Sequence, residues 1–161
     1  MSGKEKSIIV EVIRNYEGTE IIFNEAVKIN GSEITGLDYL DTTAGNIRSK
    51  VDTTFMLEIY NNKGQLVSDE QSIGTGSKLV FLDDEDKVVS EYTVILYGDA
   101  NGDGKINSVD LLVIQRHILR IQTFEGVYLK AGNAQRNGRN PTSVDLLIIQ
   151  RHILKLQELI Q

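Results

Sequence analysis

The sequence predicts an α+β chain, in which a small β-rich module (a sandwich or meander with one short helix) precedes an all-α domain of two loop–helix repeats. Three observations predict this division. Short runs of β-branched and aromatic residues fill residues 7–96, one twelve-residue segment occurs twice after residue 107, and a polar loop precedes each copy. We therefore expect a β-rich module over 1–96 and a second domain over 97–161, with repeats at about 98–120 and 132–155.

Five apolar runs separated by turn signals predict the strands of the first module. The runs are Ser7–Ile13, Glu20–Phe23, Thr54–Tyr60, Lys78–Leu82 and Tyr92–Leu96, and the turn signals are Asn61–Gly64, Gly74–Gly76 and Asp83–Asp86. A threonine cap followed by Ile47 and Val51 predicts one short helix within Thr42–Val51, weakened by Gly45. The acidic Asp83–Asp86 turn is interpreted as a soluble hairpin loop, with a weak calcium site as the alternative.

The second domain is predicted from a repeat at a shift of 35 residues. Ser108–Leu119 returns as Ser143–Leu154, and the two copies differ only at Val113 and Ile148. Each copy places apolar residues at i, i+3 and i+7, so two amphipathic helices can bury their stripes against each other. The stripes are Leu111, Ile114 and Ile118 in the first copy and Leu146, Ile149 and Ile153 in the second.

Composition excludes several classes of function. The chain has 40% hydrophobic residues, typical of a folded protein, and its lack of cysteine excludes disulfides and thiolate metal sites. Residues 97–161 carry six acids and eight bases without a basic cluster, so we expect no nucleic-acid partner. No apolar run reaches the roughly 20 residues of a membrane helix, and the first residues lack the apolar region of a secretory signal, so we expect no membrane insertion.

The loop Asp99–Asp110 has the spacing of a calcium-binding loop. It matches D-x-[DN]-x-[DN]-G over six positions and ends in a carboxylate at the twelfth. Calcium takes about six to eight oxygen ligands, which a tight loop offers from alternating positions. The expected ligands are Asp99, Asn101, Asp103, the backbone carbonyl of Lys105, and Asp110. Because three carboxylates repel one another without a cation, we expect folding of the loop to be coupled to calcium; the alternative is a metal-free surface turn.

The second loop, Asn133–Asp145, is one residue longer and has lost its early acids. Its corresponding positions are Asn133, Gln135, Asn137 and Asp145. Because calcium affinity follows ligand charge, this site is predicted to be weak or absent, which leaves one strong calcium site in the chain. We further hypothesise that a guanidinium of Arg136 or Arg139 pairs with Asp145 in place of an ion.

No phosphate-binding loop, nucleophile elbow or convincing pair of catalytic acids occurs, so we expect no enzyme and no catalytic residues in this chain. A calcium-sensing EF-hand protein would need helices on both sides of each loop, and the strand predicted before Asp99 argues against that class. A carbohydrate-binding or adhesive role for residues 1–96 remains the alternative, with Tyr16, Tyr39 and Tyr60 as the aromatic candidates.

Two loop–helix units, the first opening as Gly98-Asp-Ala-Asn-Gly-Asp-Gly-Lys-Ile-Asn-Ser108, resemble a dockerin over 65 residues. The β-rich segment resembles the accessory X-type modules that accompany dockerins in bacterial cellulosome-like or cell-surface proteins. The resemblance implies a calcium-dependent docking module that binds a cohesin domain of a scaffoldin or surface protein, in the context of polysaccharide degradation. It also implies a secreted or surface-bound protein that is monomeric when unbound; a calcium-stabilised structural or adhesive fragment is the alternative.

The resemblance also implies which residues contact the cohesin. By motif position these are Ser108, Val109, Arg116, His117 and Arg120 in the first copy, and Ser143, Val144, Arg151, His152 and Lys155 in the second. Since the two sets are almost the same, two binding orientations related by a half-turn are expected. The alternative for the basic residues is a helix face exposed to solvent. The alternatives for His117 and His152 are a position half covered by the core, a zinc site or a catalytic site.

Overall fold

The computed structural model of the protein describes residues 11–14, 20–24 and 27–161. Within these ranges the chain forms two sheets and four helices. The elements are β1 (Glu11–Arg14), β2 (Glu20–Phe23), β3 (Lys28–Asn30), β4 (Glu33–Thr35), α1 (Ala44–Ser49), β5 (Val51–Thr53), β6 (Met56–Tyr60), β7 (Lys78–Leu82), β8 (Val88–Val94), α2 (Ser108–Ile118), α3 (Gly126–Gly132) and α4 (Ser143–Ile153).

The two sheets share one hydrophobic core. The three-stranded sheet has the order β1-β2-β5, and the five-stranded sheet has the order β3-β4-β8-β7-β6. Phe23 of β2 meets Phe81 of β7 edge to face, with ring centroids 6.3 Å apart. Phe81 in turn packs edge to face on Tyr92 of β8. The sheets therefore contact each other through aromatic side chains buried between them.

Two predicted strands of this part have other bounds in the structure: Thr54–Tyr60 is shortened to β6 (Met56–Tyr60), and Tyr92–Leu96 overlaps the end of β8 (Val88–Val94). The strands at Glu20–Phe23 and Lys78–Leu82 are confirmed, and α1 begins after Thr43, whose hydroxyl oxygen accepts the N–H of Asn46. The strand predicted at Ser7–Ile13 lies partly outside the described residues, because residues 7–10 are not among them. The β3–β4 hairpin was missed because each strand has only three residues, although Gly31 with φ 61° marks its turn.

Both repeat helices begin at a capping box. Asn107 caps α2 with Asp110 as the reciprocal residue, and Thr142 caps α4 with Asp145. Ile114 and Ile149, the centres of the predicted stripes, are fully buried in a second and smaller core. Within the described ranges, no helix has the length and apolarity needed to span a membrane.

The predicted fold class is wrong for the C-terminal region. For the first module, predicted as a sandwich or a meander, the parallel pairing of β4 with β8 excludes a meander, because it joins strands far apart in the sequence. The C-terminal region is no self-contained all-α domain: residues 97–107 form an irregular loop packed against residues 73–76, and β-strands and helices form one mixed α and β structure. The physical reason is that the repeat region has a small core, while its loop buries polar groups that find partners on the β-rich part.

Candidate metal centre and helix face

The first loop carries two of its three predicted carboxylates in the interior. Asp99 and Asp110 are both 0% exposed, whereas Asp103 is exposed. Asp99 Oδ1 accepts the N–H groups of Gly102 and Asp103 at 2.9 and 3.1 Å. The loop is therefore folded around the Asp99 carboxylate.

Asp110 closes the loop from the first turn of α2. Its Oδ1 accepts the N–H of Asn101 at 3.2 Å, and its Oδ2 accepts the N–H of Asn107 at 2.9 Å. Asp103 Oδ2 accepts a hydrogen bond from Asn101 Nδ2 at 3.0 Å, and Asp103 Oδ1 accepts one from the backbone N–H of Lys105 at 2.9 Å. All five predicted ligand positions consequently lie in one hydrogen-bonded loop.

The buried carboxylates lack a compensating positive charge. Burial raises the pKa of Asp110 from 3.8 to about 6, and repulsion from Asp99 and Asp103 acts in the same direction, against the hydrogen bonds from backbone N–H groups. Burial likewise raises the pKa of Asp99. In the part of the chain that the structure describes, no Lys, Arg or His forms an ion pair with either residue. A bound cation would remove this repulsion.

The chemistry of the donors fits calcium. Among residues 11–14, 20–24 and 27–161, no three His, Cys, Asp or Glu side chains converge closely enough to hold a metal by themselves. A site in the first loop must therefore include neutral oxygens, which the Asn101 amide and the Lys105 carbonyl supply. Carboxylate, amide and carbonyl oxygens together suit a hard cation such as calcium and not a thiolate- or imidazole-binding metal.

Residues of the β-rich module donate hydrogen bonds to this loop, and the sequence did not predict them. The backbone N–H of Thr75 donates to Asp99 Oδ2 at 2.8 Å. The amide nitrogen of Asn62 donates to the carbonyl of Gly102 at 3.0 Å. Because both partners lie at least 24 positions away from the loop residue they contact, no local signal could have identified them.

The second loop is closed by side-chain amides. Asn133 occupies the position equivalent to Asp99, and its Nδ2 donates to Asn137 Oδ1 at 3.1 Å and to the carbonyl of Arg139 at 2.9 Å. In the first loop the corresponding oxygens belong to Asp103 and Lys105, both predicted calcium ligands. The Asn133 amide thus bonds to two loop oxygens at the positions where, in the first loop, two ligands would bind an ion. The other amide atom, Asn133 Oδ1, is buried and has no hydrogen-bond donor within the described structure.

The hypothesis of an arginine partner for Asp145 is wrong. Asp145 Oδ2 accepts Gln135 Nε2 at 3.1 Å and the N–H and hydroxyl of Thr142, and its Oδ1 accepts the N–H of Gln135. The Arg136 guanidinium instead lies over the ring of Tyr97, 5.6 Å from its centroid. Asp145 is fully buried, and the neutral side chains of Gln135 and Thr142 beside it supply its side-chain hydrogen bonds in place of an arginine.

The predicted partner-binding residues form matching exposed sets on α2 and α4. Val109 and Val144 are 48% and 49% exposed, and the serines, arginines and lysine of both sets are exposed as well. Leu112 and Leu147, at equivalent positions one turn further along, are also exposed, and sequence reasoning missed them. Each helix thus presents an apolar patch with basic side chains at its C-terminal end.

His117 and His152 are half-buried at the ends of these helices. The Nδ1 of His117 accepts the N–H of Phe124 at 3.2 Å, and the Nδ1 of His152 accepts the N–H of Leu159 at 3.1 Å. The His117 ring packs on Phe124 at 4.2 Å between centroids, and the His152 ring meets Tyr39 at 4.8 Å. Each imidazole therefore anchors the chain that follows its helix.

Arg120 and Lys155 terminate α2 and α4 in the left-handed region, with φ 58° and 57°. The next residues, Ile121 and Leu156, donate their N–H groups to the carbonyls of Arg116 and Arg151, each at 2.9 Å. Glycine is the usual residue at this position of a helix end. Long basic side chains therefore stand at two equivalent positions where they carry a conformational cost.

The alternative sites receive less support from the geometry. Tyr39 packs on His152, and the Tyr60 hydroxyl donates to Glu58 at 2.5 Å, so both aromatic candidates are engaged within the molecule. Tyr16 lies outside the described residues. In the acidic turn, Asp83 Oδ1 accepts N–H groups of its own turn at 3.0 and 2.9 Å, as in an ordinary hairpin loop.

Comparison with known proteins agrees with the duplicated loop–helix arrangement. Residues 97–154 match the family model described as the dockerin type I domain. The cellulase/esterase CelE of Acetivibrio thermocellus is 69% identical over 26 residues, which cover 16% of this chain and 3% of the relative. A cellulose 1,4-beta-cellobiosidase of Acetivibrio thermocellus is 45% identical over 40 residues, covering 25% of this chain and 4% of the relative. The chain thus spans a small fraction of these relatives, and no solved structure matches it significantly.

Proposed function

Residues 97–154 form a dockerin type I domain, and from this premise we propose that the chain is a calcium-dependent docking module that binds a cohesin domain. Binding would attach the parent protein to a scaffoldin or cell-surface complex that degrades polysaccharides, outside the cell. The chain itself would dock and not catalyse. Residues 1–96 would serve as its accessory module, and residues 97–161 as the docking domain.

The observation that carries this proposal is the repeated surface on α2 and α4. Neighbouring apolar side chains are exposed on each helix beside charged residues, and an exposed apolar patch rimmed by polar residues marks an interaction surface. An interface of this kind places apolar anchors at its centre and charged residues at its rim. Val109 and Leu112 on α2, and Val144 and Leu147 on α4, would be the anchors. The basic residues at the helix ends would face acidic groups of the cohesin.

Type I dockerins bind calcium, and we assign one strong ion to the first loop. Asp99, Asn101, Asp103, Asp110 and the carbonyl of Lys105 would hold it. A bound calcium ion supplies the positive charge that the buried carboxylates lack. The loop ends at the first turn of α2, so a fixed Asp110 also fixes the pose of Ser108 and Val109 beside it.

Calorimetric titration of the calcium-loaded chain with a panel of cohesins, repeated after chelation, tests the docking function. We expect equimolar, chelator-sensitive binding to at least one cohesin. Failure of every cohesin in a broad panel, with calcium still bound by the chain, would refute docking while leaving the ion site intact.

Substitutions on the two helices then locate the surface. Val109→Asp and Val144→Asp each place a charge on one copy of the face, at equal exposure, so each is the matched control of the other. If both orientations are used, each single variant loses little affinity and the double variant loses most of it. Retained binding by the double variant would exclude the helix faces as the docking surface.

A further inference from the structure

We propose that residues Ile73–Gly76, termed the strap, position the first ion loop, so that the β-rich module sets the calcium affinity of the docking domain. This inference rests on the proposed function, and specifically on calcium binding by Asp99–Asp110. It assigns to the accessory module a role inside the ion site, beyond that of a spacer.

The strap and the loop touch backbone to backbone. A Cβ atom added to Gly74 would lie 2.3 Å from the nitrogen of Gly104 and 2.4 Å from Asp99 Oδ2. A Cβ atom added to Gly104 would lie 2.5 Å from the carbonyl oxygen of Ile73. Neither glycine can carry a side chain without moving the two segments apart. The close approach explains why glycine stands at position 74, where φ is not positive.

The strap also holds the Asp99 carboxylate directly. Asp99 Oδ2 accepts one N–H from inside the loop, that of Gly104 at 3.1 Å, and one from outside it, that of Thr75 at 2.8 Å. Thr75 is itself fixed, because its hydroxyl donates to the carbonyl of Leu96 at 3.2 Å and accepts the N–H of Leu96 at 3.1 Å. The orientation of the first predicted ligand is thus set by a buried residue of the other module.

Two further contacts hold the rim of the loop. Asn62 donates to the carbonyl of Gly102 at 3.0 Å, and the Thr42 hydroxyl donates to the carbonyl of Gly104 at 3.4 Å. These residues come from three separate segments of the β-rich module, which together contact the loop from Asp99 to Gly104. The second loop differs, because within the described structure no hydrogen bond from residues 133–145 reaches the β-rich module.

An ordered loop binds an ion more tightly than a disordered one, because less conformational entropy is lost on binding. The strap orders the loop before the ion arrives. Loss of the strap contact should therefore weaken calcium binding even though no ligand is changed.

Calcium titration of the full chain carrying Gly74→Ala tests the strap. We expect the calcium dissociation constant to rise about 10-fold or more, and the difference in Tm between calcium and EDTA to shrink. Gly64→Ala is the matched control: Gly64 lies in the β6–β7 connection at φ 74° with open space around it, so its strain should lower Tm equally in calcium and in EDTA.

Two milder variants cover the case in which Gly74→Ala does not fold. Asn62→Ala and Thr42→Val each remove one rim contact, and each should weaken calcium binding about three- to five-fold. Wild-type calcium affinity in all the folded variants would overturn the claim that the β-rich module sets calcium affinity, while leaving the proposed function standing. Absence of calcium binding by the wild-type chain would instead overturn the ion site on which the inference rests.

Discussion

The two loops precede nearly identical helices, yet they are closed by different chemistry. The first holds the buried carboxylates Asp99 and Asp110 and has no compensating charge among the described residues. The second has Asn133 in place of the first carboxylate, and its amide nitrogen donates to the Asn137 side-chain oxygen and to the Arg139 carbonyl. These positions are equivalent to Asp103 and Lys105, two predicted ligands of the first loop. Hydrogen bonds from a neutral side chain can therefore hold together the loop oxygens that a cation would otherwise bind. We therefore propose that the same repeat unit exists in one form that calcium closes and in another that hydrogen bonds close.

The largest expected effect comes from converting the first loop toward the second. Asp99→Asn places in the first loop the residue that stands at the equivalent position 133. We expect calcium affinity to fall on the order of 1,000-fold, about 4 kcal/mol, because a ligand charge is lost. We also expect the Tm in EDTA to fall, because the amide nitrogen that replaces one carboxylate oxygen cannot accept the two N–H groups that this oxygen holds. Calorimetry with calcium, together with thermal unfolding in EDTA, measures both.

The matched control for this variant is Asn101→Asp, which adds a carboxylate to the same loop. It should keep calcium binding and lower the Tm in EDTA. Tight calcium binding by Asp99→Asn would contradict the assignment of the ion to the first loop.

The second prediction concerns pH and applies to the first loop. The pKa of Asp110 is about 6 in the folded chain against 3.8 as its ordinary value, so the folded state binds the proton more tightly than the unfolded state. In EDTA, the contribution of Asp110 to the free energy of unfolding is therefore largest below about pH 4 and is lost as pH rises to about 6. The full difference corresponds to about 3 kcal/mol. With calcium the sign reverses, because protonation of Asp110 below about pH 6 competes with the ion.

Urea unfolding between pH 4 and 7, with and without calcium, measures this contribution. Asp110→Asn should flatten the profile in EDTA, and the difference from the wild type isolates this residue from all others. A wild-type profile in EDTA that is no steeper than that of Asp110→Asn would refute the prediction.

The sequence predicts an ion loop at Asp99–Asp110 because the ligand positions of such a loop are local. Asp99, Asn101, Asp103 and Asp110 are recognisable from their spacing alone, and the helix stripe through Ile114 follows from periodicity. The amide closure of the second loop was not predictable, because nothing in the spacing of Asn133 tells whether its amide nitrogen meets an acceptor. Its prediction required the folded geometry.

The contacts between the modules were missed for a related reason. Thr75 reaches Asp99, and β4 pairs with β8, across stretches of chain in which no sequence pattern marks the partner. Apolar periodicity predicts which face of an element is buried but not against which element it packs. The predicted boundary at residue 96 separates the two sequence patterns, while the structure joins the two parts through the ion loop.

The third prediction converts the second loop toward the first. In Asn133→Asp a carboxylate replaces the amide and opposes the Asn137 side-chain oxygen and the Arg139 carbonyl. We expect a loss of about 2 kcal/mol in the free energy of unfolding in EDTA, because two donated hydrogen bonds are lost in the interior. Calcium should restore part of the loss. Chemical denaturation with and without calcium measures both effects, and Asn140→Asp, on the exposed side of the same loop, should leave both nearly unchanged.

The smallest expected change in the free energy of unfolding comes from substitutions at the ends of α2 and α4, where the two repeats are alike. Arg120→Gly and Lys155→Gly should each raise the free energy of unfolding by about 1 kcal/mol, because glycine adopts φ 58° and 57° without strain. If these basic side chains contact the cohesin, the same variants should bind it more weakly although they are more stable. Denaturation and cohesin titration on the same samples separate the two effects, and Arg139→Gly, exposed in the second loop, serves as the control for a lost charge. More stable variants with unchanged cohesin affinity would assign the strain at Arg120 and Lys155 to something other than docking, whereas a loss in only one of them would identify the helix that the partner uses.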